Sequence, residues 1–513
     1  MDDLQKAFEE PVREKPHYTL TDALFALLFL VLGYFLSRFV FLIRFTAGFI
    51  GLGALVLVLA VAGMSLVYLR LKGRRLTGRH LLHLGVILLF SAGLFLFENP
   101  LIKFLLLTYV MLSFLHWYFC AAGNRQEDAF GDMLPFDMLK SVLVIPFSSF
   151  GALFGSSTHV LTGSAAGKKI LLAIGGVCAA IVPTVVVFSL LVSADGAFQN
   201  LTDTLFSDLI ADAPLHIFCF FFGIPAAMYL FGMLYGGVAL PREDILTKEQ
   251  YNDTRRTLRF VPALFTCAAV TPVLLVYILF FVSQTSYFLS AFAGIRPENI
   301  TYAEYARRGF FELCGVAVIN LAILSAMEIF TRRSGDKRAP AVKVYGITLS
   351  VCTLALIAIA LSKMGMYIDA YGLTLLRIYT TWFMILLALL FILLLLRQFF
   401  TDFPFWRTLT VGFAVLFAVL VFGNADAAVA RYNVYRYQTG TLDTVDIMMM
   451  YDLSDAAVEY VIPLTKDANK TIAREAADYL TVKSNRFAEE KMTFANFNLT
   501  TWRARKALAE WQK

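Results

Sequence analysis

"FTAGFIGLGALVLVLAVAGMSLVYL", Phe45 to Leu69, contains no charged side chain. A helix needs about 20 apolar residues to cross the hydrocarbon core of a bilayer, and this stretch supplies them. In water it would leave an apolar surface that a soluble fold has no reason to carry. Similar runs recur at Leu20–Val40, Leu81–Phe97, Leu101–Ala122, Ile170–Val192, Leu215–Tyr235, Val261–Phe281, Phe310–Ile329, Val342–Leu361, Leu373–Leu396 and Phe405–Phe422. The pattern predicts an all-α polytopic transmembrane helix bundle of about 11 spans.

The composition agrees. Of 513 residues, 59% are apolar and 16% charged, against about 25% charged in an ordinary soluble domain. Mean hydropathy is +0.69. A soluble enzyme, a disordered chain and a secreted disulfide scaffold are excluded. The six cysteines form no CxxC pair and lie in or beside apolar runs, so they read as small buried hydrophobes. Residues 1–18 are polar and mixed in charge, and the first apolar run is too long for the core of a cleavable signal. They are expected to form a cytoplasmic N-terminal segment.

Positive charge is uneven. Arg70, Lys72, Arg74, Arg75 and Arg79 follow the second run. Arg242, Lys248, Arg255, Arg256 and Arg259 follow the sixth, and Arg332, Arg333, Lys337, Arg338 and Lys343 the eighth. The stretch Ser193–Pro214 carries four aspartates and no Lys or Arg. With the N-terminus in the cytoplasm, every basic loop falls inside and the acidic loop outside, as the positive-inside rule requires. The net charge of +6 is therefore a topology signal and not a nucleic-acid footprint. Gly131–Phe154 is too short in its apolar part, and too interrupted by Pro146, for a span. It is read as interfacial or re-entrant. The bundle is expected over residues 19–423. Residues 424–513, polar with helical spacing, are expected to form a small extracytoplasmic helical domain.

Ionisable groups at membrane depth are the default site candidates. In "ENITYAEYARRGFFELCG" (Glu298–Gly315), Glu304, Arg308 and Glu312 share one helical face. In "KMGMYIDAYGLTLLRIYTTW" (Lys363–Trp382), Asp369 lies in an outer loop and Arg377 one turn inside a span, where an ion pair with Glu312 is expected. "GNADAAVARYNVYRYQTG" (Gly423–Gly440) adds Asn424, Asp426, Arg431, Tyr432, Asn433 and Arg436. The three clusters converge on the outer face. The candidate ligand- or partner-binding residues are Glu304, Arg307, Arg308, Glu312, Asp369, Tyr371, Arg377, Asn424, Asp426 and Arg431. The competing reading is helix-end anchoring and packing.

His83 and His116 are expected to approach each other at the cytoplasmic face, with Glu127 or Asp128 in reach, but the spacing matches no zinc signature. "GMLYG" (Gly232–Gly236) is a small-xxx-small pattern that marks close helix packing. No P-loop, GxSxG, HExxH or dinucleotide fingerprint occurs. No catalytic residue, metal or cofactor is assigned.

"YAEYARRGFFEL" (Tyr302–Leu313), "YGLTLLRIYT" (Tyr371–Thr380) and "NADAAVARYN" (Asn424–Asn433) resemble hallmark strings of polytopic membrane proteins of the DUF4153 and DUF4173 kind, domains of unknown function. The likeness runs from the first helix to "NLTTWRARKAL". It implies a bacterial inner membrane and brings no catalytic residue or substrate. The expected function is an envelope sensor, scaffold or accessory protein with an outer polar site. Its expected partners are the lipid bilayer and an envelope protein or lipid-linked ligand. A secondary transporter with a Glu312/Arg377 site is the alternative, and a lipid-linked envelope transferase the third.

Overall fold

A computed structural model describes residues 18–42, 51–125, 130–162, 165–194, 196–239, 248–283, 302–333, 338–400 and 402–513. Among them the only β-pairing is an isolated bridge between Val261 and Thr331. The helices of the bundle are α1 (Leu20–Leu42), α2 (Leu52–Leu71), α3 (Gly78–Leu96), α4 (Pro100–Ala121), α5 (Ala165–Ala194), α6 (Gly196–Ala239), α7 (Lys248–Leu258), α8 (Ala263–Ser283), α9 (Tyr302–Phe330), α10 (Pro340–Tyr371), α11 (Leu375–Phe399) and α12 (Phe405–Phe422). Then follow α13 (Ala425–Gln438), four short turns between Ile447 and Lys466, α14 (Lys470–Glu489) and α15 (Leu499–Trp511).

Among the described residues, 10 helices are long and apolar enough to cross a membrane. They coincide with ten of the apolar runs. The remaining run, Ile170–Val192, lies in α5, a 30-residue helix with Pro183 inside, whose side chains fall partly outside the described residues. Large apolar side chains face outward along these helices, for example Leu264 at 83% and Leu279 at 69% exposure. Such a surface is stable only against lipid. The chain is a multi-pass membrane protein.

Residues 134–158 form a bent helix, its arms Leu134–Ser148 and Ala152–Thr158 inclined by 41°. It does not lie on the surface alone. Ile145 and Pro146 are buried, and Tyr229 donates to the Val142 carbonyl at 2.8 Å. The GMLYG glycines make this possible. A Cβ on Gly232 would sit 2.5 Å from the Pro146 carbonyl oxygen, and one on Gly236 would sit 2.5 Å from Ser149 Oγ.

The spans pack as two groups. The first, α1–α4 with α6 and α12, surrounds Phe29, Tyr68, Trp117, Tyr118, Phe231 and Phe417. Gly33 and Gly223 let α1 and α6 touch backbone to backbone. The second, α8–α11, surrounds Ala317, Leu349, Ile357, Met384 and Phe391. Trp382 joins the groups by donating to the Leu416 carbonyl at 2.8 Å. Residues from Val429 to Leu508 pack around a core of their own, with Val461, Ala476, Tyr479 and Leu480 at its centre.

Candidate functional site

The C-terminal helices sit on one end of the bundle, and the seat is polar. The last turn of any helix leaves carbonyls without intrahelical donors. At α3 these are met from the far end of the chain. Asn498 donates to Phe97 O at 2.6 Å and Thr500 Oγ1 to Leu96 O at 2.7 Å. Asn498 also caps α15, accepting from Thr500 N at 2.9 Å. One side chain thus closes two helices. Beside it, the Leu52 amide donates to Phe497 O at 2.9 Å.

Asn99 and Glu98, in the loop between α3 and α4, hold the next layer. Asn99 Oδ1 caps α4 by accepting from Ile102 N at 3.0 Å, and its Nδ2 donates to Asp426 Oδ2 at 2.8 Å. Asp426 Oδ1 accepts from Ser454 N at 2.8 Å. Asp426 is 2% exposed. Burial raises its carboxyl above the usual range, and the Ser454 and Asn99 hydrogen bonds offset part of that rise. Glu98 accepts from Asp455 N at 3.2 Å, and the two carboxyls share a hydrogen bond. Asp455, fully buried, takes Lys483 at 3.0 Å and Arg486 at 2.5 and 2.6 Å on its two oxygens. Lys103, 1% exposed, completes the group and faces both acids.

The two acids differ. Burial, then the Asp455 charge, push Glu98 well above the carboxylate range despite Lys103 and Arg486. Burial would also raise Asp455, but Lys483 and Arg486 outweigh it and hold Asp455 below its ordinary value. Of the two acids, Glu98 is therefore the one that gives up its proton less readily. Sequence reading passed over Glu98, Lys103, Asp455, Lys483 and Arg486. The signal was Lys103, one turn inside a span, which reads as a snorkelling side chain until its partners arrive from the C-terminal helices.

The sequence candidates meet in part. The Arg436 guanidinium lies 3.7 Å from the Asp369 carboxylate and donates to the Asp369 carbonyl at 3.0 Å, and the Asn433 amide clamps the Leu373 backbone, donating to its carbonyl and accepting from its N–H at 2.7 Å each. The second and third clusters thus join. Arg377 is not paired with Glu312. Its guanidinium donates to the Tyr371 carbonyl at 3.1 Å and to the Gly372 carbonyl, and it stacks 3.8 Å from the centre of the Tyr367 ring. It closes the C-terminal end of α10. Glu312 is exposed, and among the described residues Lys363 is a cation that faces it. The side chains of Glu304, Arg307 and Arg308 lie outside the described residues. Asp426 is spent on the seat, while Tyr371 is 52% exposed.

Asn424 and Arg431 line an open cleft of about 580 Å³ with Gly423, Ala427, Ala428, Tyr432, Tyr435 and Tyr460. Asn424 caps α13 with φ of 45°, in the left-handed region that Asn tolerates. This turn, between α12 and α13, forms part of the cleft lining together with Tyr460.

A second polar feature crosses the α8–α11 group. Thr266 meets Thr331 at 3.0 Å, and Thr271 meets Tyr345 at 2.8 Å. Tyr277 donates to Asn320, which donates to Thr353, both at 2.8 Å. Glu312 and Lys363 stand above this last set. The helices' order places these rungs one above another.

The rings of His83 and His116 lie 5.8 Å apart, each 5.4 Å from Phe130. Glu127 and Asp128 lie outside the described residues, and no group of three metal-binding side chains occurs among the described ones. His216 Nδ1 bonds the Tyr34 hydroxyl at 2.5 Å.

No curated protein and no solved structure matches this chain. A family model described as "Domain of unknown function (DUF4153)" matches residues 84–464, a range that begins within α3 and takes in every later span together with the Glu98 loop, Asp455 and the open cleft. The chain belongs to the DUF4153 family.

Proposed function

We propose that this protein is a bacterial envelope sensor or accessory protein that receives a lipid-linked ligand in the cleft beneath its C-terminal helices. One observation carries the reading: the cleft lies where the last span ends, and it joins three tyrosines to Arg431. Its volume falls within the range of ligand sites. Tyrosine faces suit sugar or other ring surfaces, and an exposed guanidinium suits a phosphate or carboxylate. The basic loops at the opposite end support an N-terminus in the cytoplasm and a C-terminus outside.

The test is native mass spectrometry of the full chain purified in mild detergent. The wild type is expected to carry a bound mass that Arg431→Ala with Tyr435→Ala loses. Both side chains are exposed, so the fold should survive. A mass retained by the double variant defeats the lipid-linked reading. A protein captured in its place makes the cleft a partner surface.

A secondary transporter is the second reading. It is supported by the polar rungs through α8, α9 and α10, with Lys363 in the place given to Arg377 from sequence. In vesicles with an interior pH dye, Glu312→Gln and Asn320→Leu should each abolish proton flux. Equal flux from both variants and the wild type leaves the rungs as packing.

A further inference from the structure

Glu328, in the last turn of α9, sits inside a cage of arginines drawn from four places in the chain. Arg255 of α7 reaches its Oε1 at 2.9 Å and Arg333 at 2.6 Å. Arg338, just before α10, reaches Oε2 at 2.5 Å, and Arg397 of α11 lies 3.7 Å from Oε1. The cage is built, not incidental. Arg332 N donates to Val261 O at 2.8 Å, pinning the loop that carries Arg333, and Arg338 also donates to Gln398. The arginine side chains are only 14–24% exposed.

The charges do not balance. Four guanidiniums share one carboxylate among the described residues, and arginine does not shed its proton. The C-termini of α9 and α11 each contribute roughly half a negative charge, which still leaves an excess of about two. Burial, together with the three other arginines, pushes Arg338 below its ordinary range even with Glu328 beside it. A narrow cavity of about 20 Å³ opens among Glu328, Arg332, Arg333, Arg338 and Gln398. It has room for one or two water-sized oxygens. Arg332, exposed, stands at its mouth.

We propose that this cage is a binding site for a phosphate group, with Arg332, Arg333 and Arg338 as its donors and Glu328 as the group that keeps the arginines apart and oriented. Guanidinium forks match phosphate oxygens bidentately. The site lies at the ends of three spans, the depth of lipid headgroups, and basic pockets between helix ends hold anionic headgroups. The same chemistry admits a soluble phosphate ester. The inference is independent of the cleft at the other end.

The experiment uses the full chain in detergent, with native mass spectrometry and thermal melts against phosphatidylglycerol, phosphatidylcholine and inorganic phosphate. Phosphatidylglycerol adducts and a raised midpoint, absent with phosphatidylcholine, are expected and identify a headgroup. A raised midpoint with phosphate, and no preference between the lipids, supports the proposal with a soluble source. Arg332→Gln, at the exposed mouth, should weaken the response about fivefold, and Arg332→Gln with Arg333→Gln about 25-fold. Glu328→Gln separates binding from architecture. It should lower the midpoint yet bind the anion at least as tightly, because a competing carboxylate is gone. Anion affinity unchanged by the arginine variants, or lost in a folded Glu328→Gln protein, overturns the proposal.

Discussion

Glu98 and Asp455 face each other across two parts of the chain, and their opposite shifts set a pH window for the seat. Glu98 is raised in the folded state, pushed up to about 7. A raised acid stabilises below its unfolded value, and that contribution is lost as pH rises through the folded one. Asp455 is lowered, so its contribution is present above the unfolded value and lost as pH falls. The C-terminal helices should therefore hold best at mildly acidic pH and loosen above neutrality. Thermal melts from pH 5 to 9 check this, and Glu98→Gln should flatten the alkaline side. Asp455→Asn removes the anion that Lys483 and Arg486 share and leaves Arg486 with Glu490 at 3.7 Å. Because Asp455 is fully buried and Arg486 is not, the loss should fall near the lower end of the range for breaking a buried pair, about 3 kcal/mol. Proteolysis of α14 should accelerate accordingly.

At the scale of elements, small residues decide how closely helices approach. A Cβ on Gly223 would lie 2.6 Å from the Gly33 carbonyl oxygen, so α1 and α6 cannot keep their spacing if it is enlarged. Gly223→Leu should cost at least the 1–3 kcal/mol of ordinary overpacking and lower the melting midpoint in detergent, while Gly63→Leu, with open space around its Cβ, should leave it unchanged. The Asn320 rung sits in a different regime. Interhelical hydrogen bonds within a bilayer average about 0.6 kcal/mol, so Asn320→Leu should barely move the midpoint. A large loss of flux from that variant would thus report function and not collapse.

For the whole molecule, orientation is the first thing to measure. Alkaline phosphatase fused at Lys513 should be active and green fluorescent protein there dark. The reverse would place the tail in the cytoplasm and reassign both the cleft and the arginine cage. The spans were legible in the sequence because a run such as Leu375–Phe399 meets the length and hydropathy of a bilayer with no help from its neighbours. The bend at residues 134–158 was half legible: Pro146 and the short apolar run argued against a straight span, but the two glycines that receive it lie in another helix. The buried charges were not legible. Glu98 and Asp455 are ordinary surface residues in their own segments, and only tertiary contact strips their water. The pairing expected for Arg377 failed for a local reason, since the Tyr371 and Gly372 carbonyls at the end of α10 take its guanidinium.

The seat also has an order in time. A ribosome makes α3, the Glu98 loop and α4 hundreds of residues before Asp455, whose amide meets Glu98 across a separation of 357 positions. Lys103 must therefore enter the bilayer with only Glu98 for company, and the end of α3 must wait for Asn498 and Thr500. A chain that stopped before Asn498 would leave the Leu96 and Phe97 carbonyls without these donors and present an unfinished polar surface, a feature by which quality-control proteases could mark it.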